Sequence, residues 1–312
     1  MKLSFEQIKS VTVGALSVCE EADGFHFCKM TPAQIEGYGM ISAAQRDRAL
    51  STTGVRLDFH TDAKSVKYMS VTDGRYEVKI DGLLFNDDRT DAGTEIEIPL
   101  PADGSEHRVT LHLPSHGTPG ALAYVALPDG ATLTPHRFDC KMLFLGDSIT
   151  QGWNSGIDTL SYAYLVSDHF NAESVIQGVG GACFNELSLA PIDFDADTVI
   201  VAYGTNDAGK ETLEQIERDC RAYLEKLVNL FPRERIRVIT PILRLNRDEI
   251  RTYGQISLVG KTVRAVAESL SLTVIDGEKM VPSLPAMMAD NVHPNALGFS
   301  MYAHNLIKEL SK

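Results

Sequence analysis

The spacing of apolar residues changes character near residue 135, and no single-layer or single-class fold accommodates both patterns. Before that point, short strand-like runs occur at 55–60, 66–71, 76–80, 83–85, 95–98, 108–113 and 122–126. Turn signals separate them. Asp73-Gly74 and Asp81-Gly82 fall between such runs, and Asp-Gly accepts the positive φ angles of a tight hairpin turn. Asp103-Gly104 and Asp129-Gly130 mark further turns. With no long helical pattern among them, these runs predict an all-β sandwich of jelly-roll kind over residues 1–137.

After residue 135 the apolar runs are short and rich in β-branched residues: 142–145, 174–176, 198–202, 236–240 and 272–275. Such runs suit strands buried on both faces of a parallel sheet. Helical stretches lie between them. Leu213, Ile216, Cys220, Leu224, Leu227 and Phe231 recur every three or four residues and form one helical stripe, with Thr212 and Gln215 as a capping box at its start. A last helix, about 296–310, follows Pro294 with Asn295 as its cap. Strand alternating with helix predicts a three-layer α/β/α domain with a parallel sheet over residues 138–312.

Composition narrows the function classes. A chain of 312 residues buries enough surface to fold without disulfide or metal staples. A net charge of −13, with no cluster of Lys or Arg, repels nucleic acid over most of the surface. Cys19, Cys28, Cys140, Cys183 and Cys220 are scattered, odd in number and without a C-x-x-C pair. They read as buried free thiols in a reducing compartment, with Cys183 as a small core residue, and against a zinc site. The apolar run at 11–19 ends in Leu16-Ser17-Val18-Cys19, which has the outline of a lipoprotein cleavage box. Glu6 and its polar neighbours, and the bulk of Val18, make a β-strand the better reading. No run reaches the ~20 apolar residues of a membrane span, so the expectation is a cytoplasmic protein.

In an open parallel sheet ligands collect beyond the carboxyl ends of the strands, and four short motifs stand there. Gly146-Asp147-Ser148 ends the first strand, where Ser148 either caps a helix or serves as a nucleophile. Gly178-Val179-Gly180-Gly181 follows the second strand. It is either a plain turn or a loop whose backbone N–H approaches a ligand, and its spacing does not fit the dinucleotide fingerprint. The third strand runs into Gly204-Thr205-Asn206-Asp207, an Asn/Asp turn or the source of an amide donor for an oxyanion. Asp290-Asn291-Val292-His293 precedes the last helix. A carboxylate three residues from a histidine can hold the ring in one tautomer and leave the other nitrogen as a base.

Taken in this order, the four blocks over residues 140–312 resemble the SGNH or GDSL hydrolases, a superfamily of serine esterases and lipases. The resemblance implies a flavodoxin-like catalytic domain. It makes Ser148 the nucleophile and Asp290 and His293 its triad partners. Ser148, Gly181 and Asn206 become the oxyanion donors, with Gly180 as a register alternative to Gly181. No metal or organic cofactor is implied. The β-rich half resembles, more distantly, the N-terminal domain of the family two carbohydrate esterases, which deacetylate plant polysaccharides. Some of those work with a Ser-His dyad, and Asp290 departs from that version. The implied function is hydrolysis of short, chiefly acetyl, esters on carbohydrates, with a small-molecule or oligosaccharide ester as partner. An acyltransferase and a non-catalytic carbohydrate-binding protein are the alternatives. Asp147 and Trp153 are further candidate substrate contacts, Trp153 either stacking on a sugar or packing into the domain. The other eight histidines have no motif context and read as structural.

Overall fold

The computed structural model describes residues 1–86 and 89–312. It divides into two compact units, residues 1–30 with 50–138 and residues 31–49 with 139–312.

The described residues of the first unit form two large antiparallel sheets and one short ladder, Gly74–Arg75 with Arg89–Thr90. One sheet has strand order Thr12–Val13, Arg56–Thr61, His107–His112, Glu77–Ile80, Leu83–Asn86, with Thr134–Pro135 also pairing onto Arg56–Thr61. The other runs Glu95–Pro99, Ser65–Ser70, Ala121–Ala126, Gly24–Cys28, Ser17–Glu21. Alternate residues of both sheets, among them Leu57, Phe59, Val109 and Leu111 from one and Phe25, Val66, Tyr68 and Val125 from the other, form one apolar core. The seven runs expected from the sequence are strands, each within a residue or two, whereas Gly24–Cys28, Thr12–Val13 and Thr134–Pro135 were not expected. Asp81-Gly82 makes the expected hairpin, with φ of +51° and +82°. Asp73-Gly74 does not: the long strands on either side of it lie in different sheets, and Gly74 instead gives up its Cβ to Pro114, whose Cγ would be 2.3 Å away. Nor is 11–19 one strand. A helix Phe5–Val11 ends there, Gly14 turns at φ +85°, and a new strand begins at Ser17.

The second unit carries the parallel sheet, with β1 (Cys140–Gly146), β2 (Ala172–Gly178), β3 (Thr198–Ala202), β4 (Ile236–Ile239) and β5 (Thr273–Ile275). Their spatial order is β2-β1-β3-β4-β5, the flavodoxin-like order, whose reversal between β1 and β3 opens a crevice at their carboxyl ends. Its helices are α1 (Pro32–Ile41), α2 (Ala43–Ala49), α3 (Ser148–Gln151), α4 (Tyr162–His169), α5 (Leu213–Val228), α6 (Leu258–Ser269) and α7 (Ala296–Leu310). Because both sheet faces are covered, the strands are apolar at successive positions. Phe144, Ile176 and Ile200 pack with Tyr162, Phe299 and Tyr302 of α4 and α7. Val199 and Val201, pointing the other way in β3, are fully buried too, as are Tyr223 and Leu224 of α5 and Val263 of α6. The Thr212/Gln215 capping box forms, and Asn295 Oδ1 accepts the Gly298 N–H at the start of α7.

Two expectations differ. Residues 31–49, read from sequence as part of the β-rich half, group with the α/β unit as α1 and α2. The cysteines are free, but only Cys220 is buried; Cys28, Cys140 and Cys183 are half-buried and Cys19 is exposed. Burial nonetheless pushes the Cys183 thiol up to about 12. No helix among the described residues is long and apolar enough to cross a membrane.

Candidate active site

Glycines bring the ends of β1 and β2 against the first turn of α3. A Cβ on Gly146 would lie 2.0 Å from Thr150 Oγ1, and one on Gly178 2.3 Å from Gln151 N. Both positions exclude any other residue without moving the turn that carries Ser148. Asp147 caps that turn, its Oδ1 accepting the Ile149 N–H at 2.9 Å. This corrects its expected role as a substrate contact, since the side chain is buried. Its Oδ2 has no hydrogen-bond partner among the described residues. Burial pushes the carboxyl up to about 7 against the Ile149 N–H, and the nearby Asp207 adds to the rise.

Ser148 Oγ lies 2.8 Å from His293 Nε2, and His293 Nδ1 lies 2.8 Å from Asp290 Oδ2. The loop before α7 preorganises the carboxylate: Asp290 Oδ1 accepts the backbone N–H groups of Val292 and His293, each at 2.7 Å. Oδ2 also accepts from Asn154 Nδ2 at 3.1 Å. Desolvation opposes ionisation of Asp290, but these N–H groups and the His293 ring outweigh it and hold the carboxyl below its ordinary value. An ionised Asp290 fixes the proton on Nδ1, so Nε2 faces the serine as an acceptor. Asn154 reaches this position because the chain after α3 takes left-handed conformations at Gly152 (φ +87°) and Asn154 (φ +69°).

The Ser148 turn, the glycine loop and the β3 loop each carry a donor. The N–H groups of Ser148 and Gly181 have no acceptor among the described residues. The Gly180 N–H, by contrast, donates to Gln151 Oε1 at 2.9 Å, which leaves Gly181 as the open donor of the pair. Gly181 has φ +77°, a conformation that favours glycine. Asn206 Nδ2 donates one hydrogen to Ala182 O at 3.0 Å, tying the β3 loop to the glycine loop and leaving its second hydrogen available. Below it, buried Asp207 accepts the Phe184 N–H at 3.2 Å and lies 3.3 Å from Lys210 Nζ. Burial pushes this carboxyl up to about 6 against the lysine.

Trp153 donates its backbone N–H to Ser148 O at 2.9 Å, and its side chain is 43% exposed, which places it outside the core. Gln151 and Asn154, which order the site, directly follow the serine motif yet carry no pattern of their own. Arg244, also missed in the sequence, donates from Nη1 to Thr205 O at 3.3 Å. It lines a small cleft with Thr205, Pro241, Ile242 and Ile256.

A serine, a histidine and a carboxylate in hydrogen-bonded series are an arrangement that can perform acyl transfer through a covalent intermediate. Residues 144–300, half of the chain, match the GDSL-like Lipase/Acylhydrolase family, and the protein belongs to that family. Among curated proteins no sequence matches it. Solved structures share its fold. The salicylyl-acyltransferase SsfX3 of a tetracycline biosynthetic pathway has TM-score 0.79 at 19% identity, over 96% of this chain and 93% of that one. An acetyl xylan esterase from the rumen bacterium Butyrivibrio proteoclasticus has TM-score 0.68 at 14% identity, over 99% and 97%. A family two carbohydrate esterase from Clostridium thermocellum, in complex with cellohexaose, has TM-score 0.67 at 15% identity, over 84% and 93%.

Proposed function

We propose that this protein is a serine esterase that removes short acyl groups, chiefly acetyl, from carbohydrate esters. The observation that carries the reading is the unbroken series Ser148 Oγ, His293 Nε2, His293 Nδ1, Asp290 Oδ2, with both links at 2.8 Å. His293 takes the Ser148 proton as Oγ attacks the ester carbonyl. The N–H groups of Ser148 and Gly181 and the Asn206 amide receive the oxyanion. His293 then protonates the leaving alcohol, and a water activated by the same ring releases the acid. The carbohydrate part of the reading draws on the fold shared with carbohydrate esterases and on exposed Trp153, five residues after Ser148, whose flat ring can stack on a sugar.

The test is hydrolysis of p-nitrophenyl acetate and of longer p-nitrophenyl esters, followed by acetylated xylo- and manno-oligosaccharides. Ser148→Ala should lower turnover by ~10⁴ to 10⁶-fold with the fold intact. Retention of most activity in that variant would refute the assignment, and activity confined to long-chain esters would refute the carbohydrate substrate. The fold shared with a salicylyl-acyltransferase supports one rival use of the same acyl-serine, transfer to an alcohol in place of water. Product analysis with added sugar or alcohol acceptor separates the two.

A further inference from the structure

The glycine loop receives two side chains from a segment far outside the matched family region. From α2, Arg48 Nη1 donates to Gly180 O at 2.8 Å, and Gln45 Nε2 donates to Gly181 O at 3.2 Å. The Gly180 carbonyl and the Gly181 N–H are the two ends of one planar, resonance-coupled peptide group. A cation bonded to the oxygen draws electron density from the nitrogen, so the N–H at the other end becomes a stronger donor. A bond from a charged donor is roughly twice as strong as a neutral one. The preceding peptide is fixed as well, through the Gly180 N–H held by Gln151, so the loop has little freedom to relax away from the guanidinium. Contact is close: a Cβ on Gly181 would lie 2.8 Å from Arg48 Nη1.

We propose that Arg48 is a positioning residue that polarises the Gly180–Gly181 peptide and thereby strengthens the Gly181 N–H toward the oxyanion of acyl transfer. The proposal rests on the esterase reading above. It gives residues 31–49 a part in the chemistry of the α/β unit, although they lie more than ninety positions before its first strand. Because Arg48 acts through the peptide and only when charge develops on the substrate oxygen, its removal should change kcat and leave KM unaltered.

The test compares Arg48→Met, Arg48→Gln and Arg48→Lys in the full chain, with p-nitrophenyl acetate as substrate and phenylboronic acid as a tetrahedral adduct former at Ser148. Arg48→Met should lower kcat about tenfold, within what a hydrogen bond to a charged group is worth, and weaken the boronic acid by the same factor. KM should stay at the wild-type value, Arg48→Gln should fall between, and Arg48→Lys should recover most of the rate. A kcat for Arg48→Met within twofold of wild type overturns the proposal. So does a loss confined to KM, which would make Arg48 a substrate contact. A loss that follows a fall in Tm, with Arg48→Lys no better than Arg48→Met, would reduce Arg48 to a structural role. Wild-type protein without Ser148-dependent turnover overturns the esterase reading and this proposal with it, whereas the other outcomes leave that reading standing.

Discussion

Asp290→Asn separates a working triad from a serine-histidine pair with a carboxylate nearby. Asp290 is an acceptor four times over, twice through Oδ1 for backbone N–H groups and twice through Oδ2 for His293 Nδ1 and Asn154 Nδ2. Asparagine supplies a single acceptor oxygen. With that oxygen in the place of Oδ1, the two 2.7 Å backbone bonds survive and the new NH2 group faces two donors, Nδ1 and Asn154. The ring relieves the clash by moving its proton to Nε2, which then points a hydrogen at Ser148 and offers no base. With the amide turned the other way, two backbone N–H groups lose their acceptor at roughly 1–3 kcal/mol each where they are shielded from water. The first arrangement is the cheaper, and it is the inactive one. The expected loss in kcat is therefore ~10⁴-fold, about 5.5 kcal/mol of barrier. Steady-state hydrolysis of p-nitrophenyl acetate, corrected for the spontaneous reaction, measures it, and circular dichroism checks that the fold is unchanged. An Asp290→Asn enzyme that keeps more than a tenth of the wild-type kcat would refute the reasoning, since the histidine would then hold its tautomer without the carboxylate.

Other perturbations address neighbouring groups. Asn206→Ala should cost roughly 10²–10³-fold in kcat at nearly unchanged KM, because the amide meets charge only as it develops; an effect on KM alone would assign it to ground-state binding. Asp147 tests the buried carboxyl next to Ser148, with a folded value of about 7 against about 3.9 unfolded. Between those values the folded protein holds a proton that the unfolded chain has lost, so stability falls as pH rises from about 4 to about 7 and levels off above. Asp147→Asn keeps an acceptor for the Ile149 N–H and cannot ionise. It should raise Tm above pH 7, with an upper bound on the order of 4 kcal/mol, and leave Tm unchanged near pH 4. Thermal unfolding across that range reads the difference, and an equal Tm shift at both ends would rule out ionisation as its cause.

Local pattern carried much of the architecture. Short runs between turn signals marked seven of the sandwich strands but not Gly24–Cys28, and buried β-branched runs marked all five strands of the parallel sheet, because a strand's burial is written in its own side chains. The helices Phe5–Val11, Pro32–Ile41 and Ala43–Ala49 escaped notice. Capping boxes at Ser4/Gln7 and Thr31/Gln34 mark the first two, but the first is only seven residues long and the apolar stripe of the second is weak. The helix at Pro32–Ile41 packs partly through bare backbone: a Cβ on Gly37 would lie 1.8 Å from Leu187 O, a contact that leaves no hydrophobic period to read.

At the site the division is similar. Sequence alone determined the residue types at each strand end, Ser148, the glycine pair, Asn206 and the Asp290–His293 block, since these sit at turns whose local chemistry is legible. The tertiary structure decided what each of them touches. It engaged the Gly180 N–H with Gln151 and left that of Gly181 open. It buried Asp147 as a cap where a substrate contact was expected, and it brought Arg48 from another stretch of the chain onto the Gly180 carbonyl. Hydrogen-bond partners and desolvation are set by segments that meet only when the sheet and its helices pack, and no local spacing encodes them.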